Sequence, residues 1–182
     1  QAVADALHKD VQDVTAIILD RPRHAELIKE IRASGARVKL ITDGDVSAAI
    51  ATALPNTGVD ILFGIGGAPE GVIAAVALKC LGGDIQARLK PDGPEELARV
   101  RKMGLSDPEK LLMLDDLVKG DDIFFAATGI TDGDMLRGVR YFGQTAETHS
   151  LVMRGITGTI RNITATHILA RKPRFVAKQS NC

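Results

Sequence analysis

The chain has 182 residues, of which 45% are hydrophobic, and its 23 basic side chains are balanced by 23 acidic ones. This length and composition allow one good buried core and predict a single domain or a tight pair of layers. Because the net charge is zero and only 3% of the residues are aromatic, we expect neither a nucleic-acid-binding surface nor a platform for stacking bases or sugars. No run approaches the ~18 consecutive apolar residues that a membrane span needs, so no membrane partner is expected either.

The two cysteines and the first residue bear on location and completeness. Cys80 falls inside an apolar helical pattern and Cys182 is the last residue, which predicts a buried thiol and a terminal one, not a disulfide. This usage fits a reducing, cytoplasmic compartment. The sequence opens at Gln1 with neither an initiator Met nor a signal peptide, so we expect a fragment of a larger protein.

In the first part of the chain, short apolar runs alternate with stretches of helical periodicity. Such runs predict strands that are buried on both faces, and the glycine or proline breakers between them mark helix ends. The predicted strands are 14–19, 38–41 and 61–65, and the predicted helices are 24–34, 45–54 and 69–81. Asp45 or a neighbour is expected to cap the second helix, and the third helix is so apolar that we expect it to be buried.

In the later part, the pattern changes from helical to strand periodicity. We expect a strand at 85–89, amphipathic helices at 95–103 and 108–118 with Asp107 capping the second, and a buried strand at 122–128. Period-two alternation then predicts a hairpin of 148–154 and 159–169 around a turn at 155–158. The sequence therefore predicts a layered α/β domain with a mixed sheet over 1–170, followed by a basic tail at 171–182.

A glycine-rich segment, Gly64-Ile65-Gly66-Gly67-Ala68-Pro69-Glu70-Gly71, links the third strand to the third helix. Backbone amides in such a turn approach an anion or a metal closely. A dinucleotide site would need Gly-x-Gly-x-x-Gly, but here Glu70 occupies the helix start where a pyrophosphate would lie. A carboxylate there suits a divalent cation, although the macrodipole alone also favours a first-turn glutamate.

Two Asp-Gly-Asp units follow predicted strands, at 43–45 and at 132–134. Ligands bind at the carboxyl ends of strands in open α/β sheets. Paired carboxylates there either take a divalent cation or accept hydrogen bonds from sugar hydroxyls. The alternative is a turn that leads into a helix cap, and for the second unit the two interpretations are equally supported.

A proline-stiffened loop, Asp20-Arg21-Pro22-Arg23-His24, directly follows the first strand. Two guanidinium groups offer forked donors that match phosphate oxygens, which predicts a phosphate clamp. A solvated helix entrance is the alternative, and His24 is expected to cap or orient rather than to catalyse.

Together these loops resemble the class II fructose-1,6-bisphosphatase family, in order and over nearly the whole chain. The segments that carry the resemblance are 19–24, 43–45, 64–71, 78–83 and 127–133. Arg21 and the segment 148–154 are also similar to the branch, seen in photosynthetic bacteria, that hydrolyses sedoheptulose-1,7-bisphosphate as well. The resemblance implies the C-terminal half of a lithium-sensitive sugar-phosphatase-like fold and a cytoplasmic role in gluconeogenesis or the Calvin cycle.

The resemblance also implies roles for individual residues. Arg21 and Arg23 would hold the distal phosphate, and Pro22 between them would be a further substrate-binding residue. The loop 43–45, which consists of Asp43, Gly44 and Asp45, would contact the sugar. Glu70 would bind near the scissile phosphate and ligate Mg2+ or Mn2+, the ion that activates water in metal-dependent phosphoryl transfer.

The family places its remaining metal ligands and its nucleophile-orienting residues in an N-terminal half that this sequence does not contain. The catalytic residues are therefore expected outside it, and the chain alone is expected to be inactive, since one carboxylate does not make a Mg2+ site. A non-catalytic sugar-phosphate-binding or regulatory module is the alternative. Similar proteins are homo-oligomers and AMP inhibits this kind of enzyme, so both properties are expected here.

Overall fold

The fold comes from a computed structural model that describes residues 1–105 and 107–172. The chain divides into two compact units, each described by itself below. The first contains Gln1–Phe125 and Met153–Thr159, and the second contains Ala126–Val152 and the chain from Ile160 onward.

A parallel sheet organises the first unit. Its strands are β1 (Thr15–Leu19), β2 (Arg37–Ile41) and β3 (Ile61–Leu62), in the order β2-β1-β3. Both pairs are parallel, with Ile17 opposite Lys39 on one side and Leu62 on the other. The central strand β1 is almost entirely buried, as its apolar β-branched sequence predicts. β3 is shorter than predicted, although the amide of Phe63 still donates to the carbonyl of Ile17 at 3.2 Å before the glycine-rich segment begins.

The helices of this sheet layer are α1 (Ala2–Leu7), α2 (Ala25–Ala33), α3 (Asp45–Ala53) and α4 (Ala68–Leu81). The helices α2 to α4 confirm the three predicted from the sequence. A single 3-10 turn, Pro22–His24, precedes α2. The residue that precedes α3 is Gly44, which adopts φ 87° as its N-cap, a conformation that glycine tolerates without strain.

Helix α4 is only partly buried, which corrects the prediction made from its apolar composition. Ala74 and Leu78 pack against Ala49 of α3 in one core cluster. On the other face, Val72 and Ile73 are 41% and 48% exposed. The small alanine side chains suit close packing of α3 against α4. Burial is therefore confined to the face of α4 that contacts α3, and the opposite face is exposed.

The connection from α4 towards the second unit is irregular. Two-residue strands β4 (Gln86–Ala87) and β5 (Leu112–Met113) pair antiparallel, α5 (Pro94–Lys102) lies between them, and α6 (Leu114–Leu117) follows. The continuous helix predicted at 108–118 is therefore wrong, and within that range only α6 is an α-helix. Pairing with β4 draws Leu112 and Met113 into a strand, and Asp107 instead caps a turn through the amide of Glu109 at 3.0 Å.

Over the described residues, four strands form a further sheet. They are β6 (Phe124–Thr128), β7 (Arg140–Phe142), β8 (Thr145–Arg154) and β9 (Thr159–Ile168), with β8 paired to each of the others. The predicted hairpin is confirmed as β8 and β9. β7 was not predicted, and β6 is not the buried strand expected from its sequence, since Phe125 is 6% exposed but Phe124 is 56% exposed.

The α/β class is confirmed, with parallel and antiparallel pairing both present. Among the described residues, no helix is long and apolar enough to cross a membrane. Cys80 is buried, as predicted. Burial raises the pKa of its thiol, against an opposing hydrogen bond with the backbone of Phe125. Cys182 and most of the predicted basic tail lie outside the described residues.

Candidate functional site

Three loops of the first unit leave the parallel sheet at the same edge. They follow the carboxyl ends of β1, β2 and β3. In that order they are the arginine loop (residues 20–24), the first Asp-Gly-Asp unit (43–45) and the glycine-rich loop (64–70), whose last three residues form the start of α4. Because β1 lies between β2 and β3, the arginine loop lies between the other two. This is the edge at which open α/β sheets bind ligands.

The two arginines of the central loop reach in opposite directions. Arg21 Nη2 donates to the carbonyl of Thr42 at 2.7 Å, and Arg23 Nε donates to the carbonyl of Ile65 at 2.8 Å. Both side chains are exposed. Each guanidinium therefore ties the arginine loop to a neighbouring loop and presents positive charge to solvent between them.

His24 is a buried polar link from the same loop. Its ring is 0% exposed. Nδ1 lies 2.8 Å from the carbonyl oxygen of Leu19, and the amide of Ile65 donates to Nε2 at 2.9 Å. The side chain makes no cap hydrogen bond to α2, so of the two roles predicted for it, orienting fits and capping does not.

The first Asp-Gly-Asp unit is a turn whose two carboxylates have different surroundings. Asp43 is exposed and its Oδ1 accepts from the amide of Gly44 at 2.8 Å. Asp45 is half-buried as the first residue of α3. A methyl group on Gly66 would lie 3.1 Å from Asp45 Oδ2, so this carboxylate lies against the backbone of the glycine-rich loop.

Glu70 lies in the first turn of α4 and folds back towards the loop that precedes it. A methyl group on Gly67 would overlap Glu70 Oε2 and would lie 3.2 Å from its Cδ. The carboxylate thus covers the Gly67 backbone at the helix start, where the macrodipole favours a negative charge. Side chains from all three loops therefore meet the backbone of the glycine-rich loop.

A complete metal centre is not formed by the described part of the chain. Over residues 1–105 and 107–172, no group of three or more His, Cys, Asp or Glu side chains is arranged to hold a metal ion. Glu70 is suited to supply one oxygen ligand of a Mg2+ or Mn2+ site, but such ions need several.

The second Asp-Gly-Asp unit stabilises a loop within the second unit of the fold. Asp132 Oδ1 accepts from the amide of Gly138 at 2.9 Å, and the amide of Gly133 donates to the carbonyl of Leu136 at 3.0 Å. Arg140 lies 3.8 Å from the same Asp132 oxygen. These contacts favour the turn interpretation of this unit over a ligand-binding one.

A separate cleft of about 360 Å³ opens beside Arg21 on the side of α2. Its walls are Asp20, Arg21, Pro22, Ala25, Ile28, Arg32 and Leu40. The cleft therefore shares the arginine loop with the surface where the three loops meet, whereas Asp45 and Glu70 are not among its walls.

Sequence reasoning did not identify one connected group of the site, the backbone of Ile65. Its amide is bound by His24 and its carbonyl by Arg23. Neither contact has a local signal, because the partners are separated by about forty positions in the chain. The adjacency of Arg23 and His24 behind a buried strand was the available clue.

The comparisons with known proteins agree on one family. The model of the family described as bacterial fructose-1,6-bisphosphatase, glpX-encoded, matches residues 1–167. A relative from Synechococcus sp. (strain JA-3-3Ab), named D-fructose 1,6-bisphosphatase class 2/sedoheptulose 1,7-bisphosphatase, is 44% identical over 180 residues, which cover 92% of this chain and 52% of the relative.

A relative of the same name from Microcystis aeruginosa (strain NIES-843 / IAM M-2473) is 42% identical over 189 residues, covering 97% of this chain and 54% of the relative. The chain thus spans about half the length of the curated relatives it matches. The match of the family model covers nearly all of the present sequence, and the chain therefore belongs to the bacterial, glpX-encoded fructose-1,6-bisphosphatase family.

Proposed function

We propose that this chain provides substrate-binding loops and one metal ligand of a phosphoric monoester hydrolase. The reaction is divalent-metal-dependent removal of the 1-phosphate of fructose-1,6-bisphosphate, and sedoheptulose-1,7-bisphosphate is a second proposed substrate. Both substrates appear in the names of the relatives from Synechococcus sp. and Microcystis aeruginosa. Such a reaction belongs to gluconeogenesis or the Calvin cycle.

The observation that carries the proposal is the convergence of cationic and anionic groups at one sheet edge. Arg21 and Arg23 bring positive charge between two loops that carry carboxylates, Asp43 with Asp45 and then Glu70. A sugar bisphosphate needs both kinds of partner, because its phosphates bind guanidinium groups and its hydroxyls donate to carboxylates.

In this proposal, Arg21 and Arg23 bind the distal phosphate, and Pro22 between them is a further substrate-binding residue that stiffens the loop. Each arginine donates one hydrogen bond to the carbonyl of a neighbouring loop. This bond holds the guanidinium group in place before substrate binds and so lowers the entropic cost of binding. Asp43, Gly44 and Asp45 contact the sugar. Of the two carboxylates, Asp43 is the more exposed, so we expect it to contribute more to hydroxyl recognition.

Glu70 is the proposed metal ligand of this chain, with Mg2+ or Mn2+ as the ion. When bound, such a cation neutralises charge on the phosphoryl group and activates water. The exposed carboxylate at the amino end of α4 is fixed to a helix and not to a flexible loop. Its contribution is therefore a positioned oxygen beside the backbone of Gly67.

Glu70→Gln provides the direct test in the full-length protein, by phosphate release from fructose-1,6-bisphosphate with Mn2+ or Mg2+. We expect kcat to fall by roughly a hundredfold or more, because a metal oxygen ligand is lost. Glu95→Gln is the matched control, since Glu95 also lies in the first turn of a helix. If the two variants lost activity equally, Glu70 would be no more than a helix-dipole residue.

One observation favours the second candidate, a non-catalytic sugar-phosphate-binding or regulatory module. Among the described residues, no group of three or more His, Cys, Asp or Glu side chains could hold a metal ion. Calorimetry with a sugar bisphosphate, with and without Mn2+, separates the two functions. Metal-independent binding without phosphate release by the full-length protein would favour the module.

Three finer expectations are also part of the proposal. The fold would be half of a lithium-sensitive sugar-phosphatase-like fold, the full-length protein would be a homo-oligomer, and AMP would inhibit it. Inhibition of phosphate release by Li+ and by AMP, and the mass in solution by light scattering, test these in turn. Relative turnover of the fructose and sedoheptulose substrates tests the substrate range.

A further inference from the structure

His24 is a titratable side chain that the proposed function leaves unassigned. It lies at the end of the 3-10 turn after β1, and its ring is fully buried. Buried polar groups cost free energy unless they are hydrogen-bonded. Both ring nitrogens of His24 have partners, the carbonyl of Leu19 and the amide of Ile65.

These two partners define the state of the ring. A carbonyl oxygen only accepts, so Nδ1 must carry the proton that is donated to Leu19 over 2.8 Å. A backbone amide only donates, so Nε2 must be unprotonated to accept from Ile65 over 2.9 Å. The geometry therefore requires a neutral imidazole in the Nδ1–H tautomer.

Ile65 is held on both sides of its backbone. Its amide binds His24, and its carbonyl accepts from Arg23 Nε at 2.8 Å. Two adjacent residues of the arginine loop thus fix the direction of one residue in the glycine-rich loop. Without these contacts, the glycines at 64, 66 and 67 would leave this segment free to adopt many backbone conformations.

We propose that His24 is a positioning residue that locks the glycine-rich loop, and with it Glu70, against the arginine loop. The link to activity rests on the proposed function. Leu19 is the last residue of the buried central strand. Through its two hydrogen bonds, His24 therefore holds Ile65 of the glycine-rich loop at a fixed position relative to the end of this strand. Arg23 completes the lock and at the same time presents its charge to the phosphate.

Two substitutions separate the two hydrogen bonds of the ring. In His24→Asn, the side-chain amide reaches the position of Nδ1 and keeps a donor for Leu19, but the Ile65 amide loses its acceptor. In His24→Gln, the side-chain oxygen reaches the position of Nε2 and keeps an acceptor for Ile65, but the Leu19 carbonyl loses its donor. Each variant thus removes one buried hydrogen bond, so a purely structural role predicts similar losses of stability and activity.

The proposal predicts that, in the full-length protein, His24→Asn lowers activity and loosens the loop more than His24→Gln does. We expect kcat/KM for fructose-1,6-bisphosphate to fall at least tenfold in His24→Asn, mostly through kcat, and within about threefold in His24→Gln. Amide hydrogen exchange at Ile65, measured without substrate or metal, should become about tenfold faster in His24→Asn and change less in His24→Gln. Equal effects of the two variants on both measurements would overturn the proposal.

The exchange measurement also keeps this inference separate from the proposed function. The full-length protein could release no phosphate while the amide exchange rate at Ile65 still rose more in His24→Asn than in His24→Gln. In that case the lock would stand and the proposed function would fail. Nitrogen NMR of the wild-type imidazole provides a test that needs no variant to fold. We expect Nδ1 to be the protonated nitrogen, and a protonated Nε2 in the folded protein would refute the lock.

Discussion

Substituting Gly67 by alanine tests whether the Glu70 carboxylate must lie over the loop backbone. Gly67 has φ −69° and ψ 144°, which alanine adopts without strain. Its new methyl group would overlap Glu70 Oε2 and approach Cδ to 3.2 Å. Because Oε2 ends a flexible side chain, the carboxylate should swing away while the backbone stays in place.

The two expected effects differ greatly in size. Gly67 is the N-cap of α4, with no side-chain cap to lose, so stability should fall by about 1 kcal/mol or less. A displacement of a reacting or coordinating group by about 1 Å costs up to a hundredfold in rate. We therefore expect kcat/KM to fall by roughly tenfold to a hundredfold in a protein that remains folded.

The assay is phosphate release from fructose-1,6-bisphosphate by the full-length protein, with unfolding in urea as the measure of stability. Gly71→Ala is the matched control, since a methyl group there would meet nothing within 4 Å. It should keep its activity and gain up to about 1 kcal/mol of helix stability. Wild-type kcat/KM in Gly67→Ala would show that the position of the Glu70 carboxylate is unimportant and would refute this reasoning.

Three further predictions concern stability and substrate binding. Burial raises the pKa of Asp60, but hydrogen bonds from Lys9 and a backbone amide outweigh it and leave the pKa below its ordinary value. Asp60 therefore stabilises the fold above that ordinary pKa and loses this contribution as the pH falls through its lowered folded-state pKa. Asp60→Asn should cost about 1–2 kcal/mol at pH 7, and urea unfolding at several pH values should show a smaller loss on acidification than in the wild type. Gly138→Ala should cost about 1–3 kcal/mol in urea unfolding, since its methyl group would come within 2.8 Å of loop backbone. Gly133→Ala, whose nearest atom would be 3.8 Å away, should be nearly neutral, and equal losses would count against the packing argument. Arg23→Lys should raise KM for the bisphosphate roughly tenfold, because the ammonium keeps the charge but loses the forked donors; an unchanged KM would exclude a phosphate contact.

The strands and helices around the candidate site could be predicted because their signals are local. The apolar β-branched run of β1 indicates a buried strand wherever it occurs, and the glycines that follow α2 and α4 mark helix ends. The later elements were harder to predict from local sequence, because β5 forms only through pairing with β4. A two-residue strand has no periodicity of its own, so helical spacing at 108–118 gave the wrong prediction.

The candidate site was predicted in its residue types but not in its connections. Arginines, paired carboxylates and a glycine-rich turn after three strands indicated phosphate, sugar and metal chemistry. Their proximity needed the strand order β2-β1-β3, which puts the arginine loop in the middle. The exposure of Val72 and Ile73 on α4 likewise depended on which face met α3.

The sequence by itself determined the α/β class, the positions of the three loops and the family resemblance, because each depends on residues that are neighbours in the chain. Only the tertiary structure decided that His24 and Arg23 hold the backbone of Ile65, and that Asp45 and Glu70 cover Gly66 and Gly67. Hydrogen bonds between residues forty positions apart follow from how the parallel strands align, and local sequence does not encode that alignment.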